Sequence, residues 1–197
     1  MQIILGSQSP RRKEILDYFS LPFIQVASHF DEDSISFDGY PAEYARTLAI
    51  EKGRCLRLAY PEAVIITADT VVFHAGKSYG KPADEKDAFR MLSELSGNWH
   101  SVFTALGVRK GVQEYAAVEE TKVLFNPLSP EQIRTYFNAT HLMDKAGSYA
   151  IQTVGGLIVR KIEGCYYNVM GMPVNSLQKL LSLVEVDLWA YMKAKSP

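Results

Sequence analysis

Apolar and polar positions along this chain follow two rhythms, and the switches between them divide it into elements. The run Ile3-Ile4-Leu5 predicts a short strand that breaks at Gly6-Ser7-Gln8 and gives way to a helix over residues 10–19, with Ile15, Leu16 and Phe19 on one face. Ser9 suits its N-cap and Pro10 its first position. Residues 23–26 read as a second strand. Over 41–59 a helical period runs through Tyr44, Leu48 and Cys55, with Lys52 one turn beyond Leu48 on the same side. Residues 64–73 are a nearly continuous β-branched run, as expected of a strand covered on both faces. A helix capped at Asp84 carries Ala88, Met91, Leu92 and Leu95 and stops at Ser96-Gly97. Residues 101–109 and 113–125 predict a hairpin around Lys110-Gly111, hence an antiparallel part of the sheet. Ser129-Pro-Glu-Gln132 is a capping box for a helix to about Ala139, residues 157–162 predict a strand, and Asn175 caps a last amphipathic helix bearing Leu177, Leu180, Leu181 and Val184. Strands interleaved with helices make this an α/β chain with a mixed sheet.

Composition narrows the function classes. At 197 residues, with 47% hydrophobic and 22% charged residues, the chain is ordinary for a soluble globular enzyme and is taken as a single domain over 1–197. A net charge of -1 leaves no basic surplus for a nucleic-acid backbone. The first residues enter a strand without a signal-like leader, and no apolar run approaches the roughly 18 residues that span a bilayer, so a cytoplasmic protein without a membrane partner is expected. A homodimer is compatible with this. Cys55 and Cys165 stand far apart outside any CxxC, which argues against disulfides and thiolate metal sites and makes both core thiols. His29, His74, His100 and His141 lack zinc spacing, so any metal is expected to be oxygen-ligated.

Candidate chemistry begins at the first helix. Arg11, Arg12 and Lys13 crowd its first turn, where cations oppose the helix dipole at about 0.3–1 kcal/mol each. Two readings stand: a phosphate cradle made by the free helix N–H groups, the positive dipole end and two guanidiniums, or a solvated basic turn. Asp31-Glu32-Asp33 is either a solvated acidic loop or a holder of Mg²⁺. Lys52 lies near an apolar face, from which a lysine most often snorkels to solvent. Asp69 sits in the middle of an apolar strand, where a carboxylate needs a metal, a cation, a catalytic task or nearby backbone donors. Gly80-Lys81-Pro82 is a turn presenting another lysine, and the segment from Asp144 to Gln152 ends in a polar amide before Gly155-Gly156, shaping a pocket. His100, between a helix stop and a strand, reads as structural.

The motifs Ser7-x-Ser9-Pro-Arg-Arg12, Ala68-Asp-Thr70, Lys81-Pro82, Leu95-Ser-Gly97-x-x-His100-x-Val102-x-Thr104 and Asp144-Lys-Ala-Gly147 occur in this order over nearly the whole chain. The set closely resembles the Maf family of nucleoside triphosphate pyrophosphatases, and Asp144-Lys-Ala-Gly-Ser-Tyr-Ala-Ile-Gln152 with Tyr167-Asn-Val-Met-Gly-Met-Pro173 resembles its dTTP/UTP branch. Gly6, Gly53, Ala150 and Met172 depart from the usual residues, and Ala150 bears on base selectivity. The resemblance implies a two-lobed Maf/ITPase-like fold, with a central sheet flanked by helices and a site in the cleft. It also implies hydrolysis of dTTP, UTP and modified pyrimidine nucleotides to monophosphate and pyrophosphate with Mg²⁺ or Mn²⁺, a house-cleaning activity. It makes Ser7, Ser9, Arg11, Arg12, Lys52 and Lys81 phosphate contacts, Asp69 the general base and a metal ligand, and Glu32 the second metal ligand. Thr70 and Gln152 are expected to select a uracil or thymine ring, a Gln amide donating to one carbonyl and accepting from the ring N–H, unless Gln152 only ties its own loop. The alternatives are a non-hydrolysing nucleotide-binding regulator of septum formation and cell division, and a transferase using the same anion cradle.

Overall fold

The computed structural model describes residues 1–192. Its strands are β1 (Ile3–Gly6), β2 (Ile24–Val26), β3 (Val64–His74), β4 (Lys77–Tyr79), β5 (Trp99–Lys110), β6 (Gln113–Phe125) and β7 (Val159–Glu163). They form one seven-stranded sheet in the order β2-β1-β3-β5-β6-β7, with β4 joined to β3 off this path. β1 is parallel to β2 and β3, and the remaining pairs are antiparallel, which is the mixed sheet expected. The helices are α1 (Pro10–Leu16), α2 (Pro41–Leu56), α3 (Glu85–Leu95), α4 (Pro130–Ala139), α5 (Tyr166–Val169) and α6 (Val174–Ser182). The capping chemistry acts as expected at α3, where Asp84 accepts from the Asp87 N–H, and at α4, where Ser129 and Gln132 cap reciprocally.

One irregularity of the sheet positions everything that follows. β1 pairs with residues 64–66 of β3, and β4 pairs with residues 72–74 on the same edge. Between them residues 67–71 have β5 as their strand neighbour on one side and none on the other. Asp69 is at the centre of this interrupted edge, beyond the carboxyl end of β1, which is where open α/β sheets place their ligands.

The two larger apolar clusters among the described residues lie on the sheet. One joins Leu5, Ile15, Leu16, Ile66, Leu177 and Leu181; the other joins Val72, Met91, Leu92, Val102, Phe125 and Ile133. β3 and β5 run through both. Small residues let α2 lie close against the sheet: Ala45 and Ala49 are fully buried, and Thr67 Oγ1 donates to the Ala49 carbonyl at 2.6 Å. A Cβ on Gly107 would stand 2.7 Å from Thr67 Oγ1 and 3.2 Å from the Ala49 oxygen, so glycine there permits the approach.

Some elements differ from expectation. α1 ends at Leu16 because the chain turns at Asp17, and Phe19 instead bridges to Met192. α6 begins at Val174 with Pro173 as its N-cap, so Asn175 lies inside the first turn rather than capping it; the Pro173 carbonyl already accepts from Leu177. Leu157 belongs to a 3₁₀ turn, Thr153–Leu157, and β7 starts only at Val159. The cysteines are not core thiols: Cys55 is exposed at the margin of the buried stripe of α2, and Cys165 is half-buried. Among the described residues no helix is long and apolar enough to cross a membrane.

Candidate active site

A cavity of about 810 Å³ opens over the interrupted edge of β3. Every residue named from the sequence lines it: Ser7, Ser9, Arg11, Arg12, Glu32, Lys52, Asp69, Thr70, Lys81 and Gln152. Its size is that of a small-molecule site.

The floor is a carboxylate, an ammonium and a second carboxylate. Asp69 and Lys52 are each only 7% exposed, and Lys52 does not snorkel. Because α2 lies close to the sheet, Lys52 Nζ reaches Asp69 Oδ1 at 2.5 Å and Glu32 Oε1 at 2.9 Å. The acidic run is held by a 3₁₀ turn, Glu32–Ser34, whose N-cap Asp31 accepts from the Asp33 N–H, leaving Glu32 to face the cleft. The other Asp69 oxygen has no hydrogen-bond partner among the described residues and opens on the cavity. Burial pushes the Asp69 carboxyl up from its ordinary value, against the pull of Lys52 and Arg12. Burial would raise Glu32 as well, but Lys52, with Lys81 and Arg12 behind it, holds it below its usual range. Two neighbouring carboxyls are thus driven apart, the pattern by which a proton acceptor is distinguished from a permanently ionised partner.

The basic turn divides. Lys13 points outward to Asp17, while the two arginines face the cavity. Arg12 is clamped on three sides: Nε donates to the Gly171 carbonyl (2.9 Å), Nη1 to Ser7 Oγ (3.1 Å) and Nη2 to Thr70 Oγ1 (3.0 Å). Gly171 holds φ at 99°, and a Cβ there would sit 3.2 Å from the Thr70 hydroxyl, so a larger residue would press on this clamp. Five guanidinium donors minus these three leave one N–H on each terminal nitrogen for a ligand. Arg11 Nη1 pairs with Asp144 Oδ2 at 3.0 Å, and Asp144 also takes Lys145 at 2.6 Å. Lys81 is exposed on the cleft with no hydrogen-bond or ion-pair partner among the described residues. Ser9 donates its N–H to Ser7 Oγ, and its own hydroxyl caps nothing.

Thr70 and Gln152 occupy different settings. The Thr70 hydroxyl is committed to Arg12 and to Thr104 Oγ1 at 2.9 Å. Gln152 Nε2 donates to Glu14 Oε2 at 3.3 Å, which leaves the amide oxygen and the second N–H of Nε2 for a ligand. The loop bearing it is pinned at Ala150, whose N–H and C=O both bond the Tyr136 hydroxyl. His100 is structural: it is buried, its Nε2 meets the Tyr149 hydroxyl at 2.9 Å, and burial pulls its pKa down to about 3.

Asp144, Thr104, Asn168 and Gly171 were not singled out as site residues by the sequence. All four lie in the quoted motifs without a role, because their contacts depend on strand register and on loop conformation.

The donor set fits a hard divalent cation. Among the described residues no three His, Cys, Asp or Glu side chains gather as a metal cage. Mg²⁺, however, is commonly held by one or two carboxylates, with substrate phosphates and water completing its shell. Asp69 and Glu32, both already drawn to one ammonium, are such a pair.

Residues 2–184 match the family described as Maf-like protein. The nucleoside triphosphate pyrophosphatase of Chlamydia muridarum is 42% identical over 192 residues, covering 97% of this chain and 98% of that protein. The dTTP/UTP pyrophosphatase of Clostridium perfringens is 45% identical over 194 residues, covering 95% and 100%. The solved structure of the Staphylococcus aureus Ham1 protein aligns with a TM-score of 0.50 at 14% identity, over 94% of this chain and 98% of that one, a likeness of fold.

Proposed function

The chain belongs to the Maf family, and on that premise we propose that it hydrolyses dTTP and UTP between the α and β phosphates, releasing the monophosphate and pyrophosphate. The observation that carries this reading is the buried Asp69, with one oxygen on Lys52 and the other open to a cavity walled by Arg11, Arg12 and Lys81. Phosphoanhydride cleavage needs the triphosphate charge neutralised and a water delivered in line with the leaving group. The four cations supply the first. The open oxygen of Asp69 supplies the second, accepting the proton of a water bound beside it, while Lys52 favours the charged carboxylate against burial and orients it. A divalent metal held by Asp69 and Glu32 would add Lewis-acid polarisation of the phosphates. A nucleotide sensor that never turned over would have no use for this base. The cytoplasm, where nucleotides are made and consumed, is the compartment that goes with the reading.

Base choice falls to Gln152. Its oriented amide oxygen accepts from the ring N–H of uracil or thymine, a group that cytosine lacks, and a polar mismatch of this kind costs about 1–3 kcal/mol. The test is a panel of UTP, dTTP, CTP and GTP with Mg²⁺ or Mn²⁺, resolving products by chromatography. UMP and dTMP with pyrophosphate are expected, with the preference over CTP collapsing in Gln152→Ala. Nucleoside diphosphate with orthophosphate, or no product, would refute the assignment.

Lys81→Ala removes the exposed wall cation. A charge-assisted contact of about 1.5–3 kcal/mol should appear as a 10- to 150-fold loss in kcat/KM for every nucleotide cleaved. The melting temperature should change little, because Lys81 has no hydrogen-bond or ion-pair partner among the described residues. A loss confined to one base would remove Lys81 from the phosphate tail.

A further inference from the structure

We propose that Thr104 is a positioning residue: through Thr70 it fixes the Arg12 guanidinium in the orientation that receives the triphosphate. Thr70 and Thr104 are register partners across β3 and β5, with their hydroxyls 2.9 Å apart. The direction of this contact follows from donor counting. Arg12 has only donors to offer, so Thr70 Oγ1 must accept from it. The Thr70 proton is then available for Thr104, and Thr104 spends its own proton on the Asn168 carbonyl at 2.8 Å. Asn168 is fully buried in α5 and is itself held by donations from Nδ2 to the Val102 carbonyl (3.0 Å) and to Thr121 Oγ1 (2.8 Å).

The chain Arg12 to Thr70 to Thr104 to Asn168 therefore runs one way and ends on a fixed backbone oxygen. Thr104 is 0% exposed, so its hydroxyl does not exchange with bulk water. Without the acceptor at Thr104, the Thr70 proton has no buried destination and is free to swing toward the guanidinium, where donor would face donor. α5 also leads into the turn at Gly171, whose carbonyl holds Arg12 Nε. One buried network thus sets two of the three contacts that aim Arg12. This rests on the reading of the cleft as a triphosphate site.

Thr104→Val keeps the shape and removes the hydroxyl. The expected result is about a tenfold fall in kcat/KM for UTP, carried mainly by KM, the size of one lost hydrogen bond to a charged group. Thr104→Ser should restore the wild-type value within about twofold, since only the hydroxyl is needed. In an Arg12→Ala background, Thr104→Val should cost nothing further, because its target is gone. If the valine lowers the yield of folded protein, Thr104→Ala is read in the same way, with thermal melts alongside. The proposal is overturned by a Thr104→Val enzyme within twofold of wild type, by a serine variant no better than valine, or by an equal loss in the Arg12→Ala background. An Arg12→Ala enzyme with unchanged kcat/KM would instead overturn the triphosphate reading of the cleft, and the proposal with it.

Discussion

Asp69→Asn is expected to lower turnover of UTP by about 10²- to 10⁴-fold while leaving the fold intact, the range lost when a positioned base is removed. The amide has the volume of the carboxyl and can still accept from Lys52, and Lys52 keeps its second partner, Glu32. What the variant cannot do is take a proton. The measurement is single-turnover hydrolysis together with a thermal melt and the Kd for UTP under non-turnover conditions. Binding within about tenfold of wild type with turnover lost places Asp69 at the chemical step; turnover within a few-fold of wild type would show that the proton goes elsewhere.

Lys52→Met should produce the largest change in stability, and its pH dependence identifies the cause. The substitution keeps an apolar stem against α2 and β3 but leaves Asp69 buried without its closest cation. Breaking one side of a buried pair costs about 3–5 kcal/mol when the remaining charge is forced to stay. Burial already raises the Asp69 carboxyl, and removal of Lys52 raises it further. A carboxyl whose folded pKa lies above its unfolded one has its full stabilising effect below the unfolded pKa and loses it as pH rises through the folded pKa. The deficit of Lys52→Met relative to wild type should therefore be greatest at pH 7–8 and shrink toward pH 5, and the acid limb of kcat should move to higher pH. Denaturant melts across this range read the deficit directly. A deficit constant with pH would assign Lys52 to packing rather than to charge.

The elements that the hydrophobic pattern predicted well are those with long periods or explicit caps. α2 kept its start at Pro41, β3 its full β-branched run, the hairpin of β5 and β6 its turn, and α3 and α4 their capping residues. β4 escaped because three residues after a tight turn carry no period, and its turn is made by Ala75 and Gly76 at positive φ. In the site, the motifs imply a shared cleft, but which side chains pair within it is not written in any local pattern. Lys52 looked like a snorkelling lysine because the face of α2 is apolar; only the close seating over Thr67 and Gly107 brings it inward to Asp69. The motif makes Thr70 an expected contact to the base, whereas its hydroxyl bonds Arg12 and Thr104. Threonines in a β-branched run look like strand formers, and which of them face each other is a matter of register.

The gap between β1 and β4 also bears on edge-to-edge strand pairing. An open strand edge offers unpaired N–H and C=O groups that another chain can extend into a larger sheet, and natural proteins blunt such edges. A cleft needs an edge left open. Here residues 67–71 are the open part, bounded on the same side by β1 and β4. The ionised side chains of Arg11, Arg12, Glu32 and Lys81 line the approach to it. An intruding strand would have to fit a recess closed at both ends and shed the hydration of those charges, whereas a small anion enters and pairs with the cations. The interruption that gives substrate its way in thus also makes the exposed backbone a poor template for an added strand.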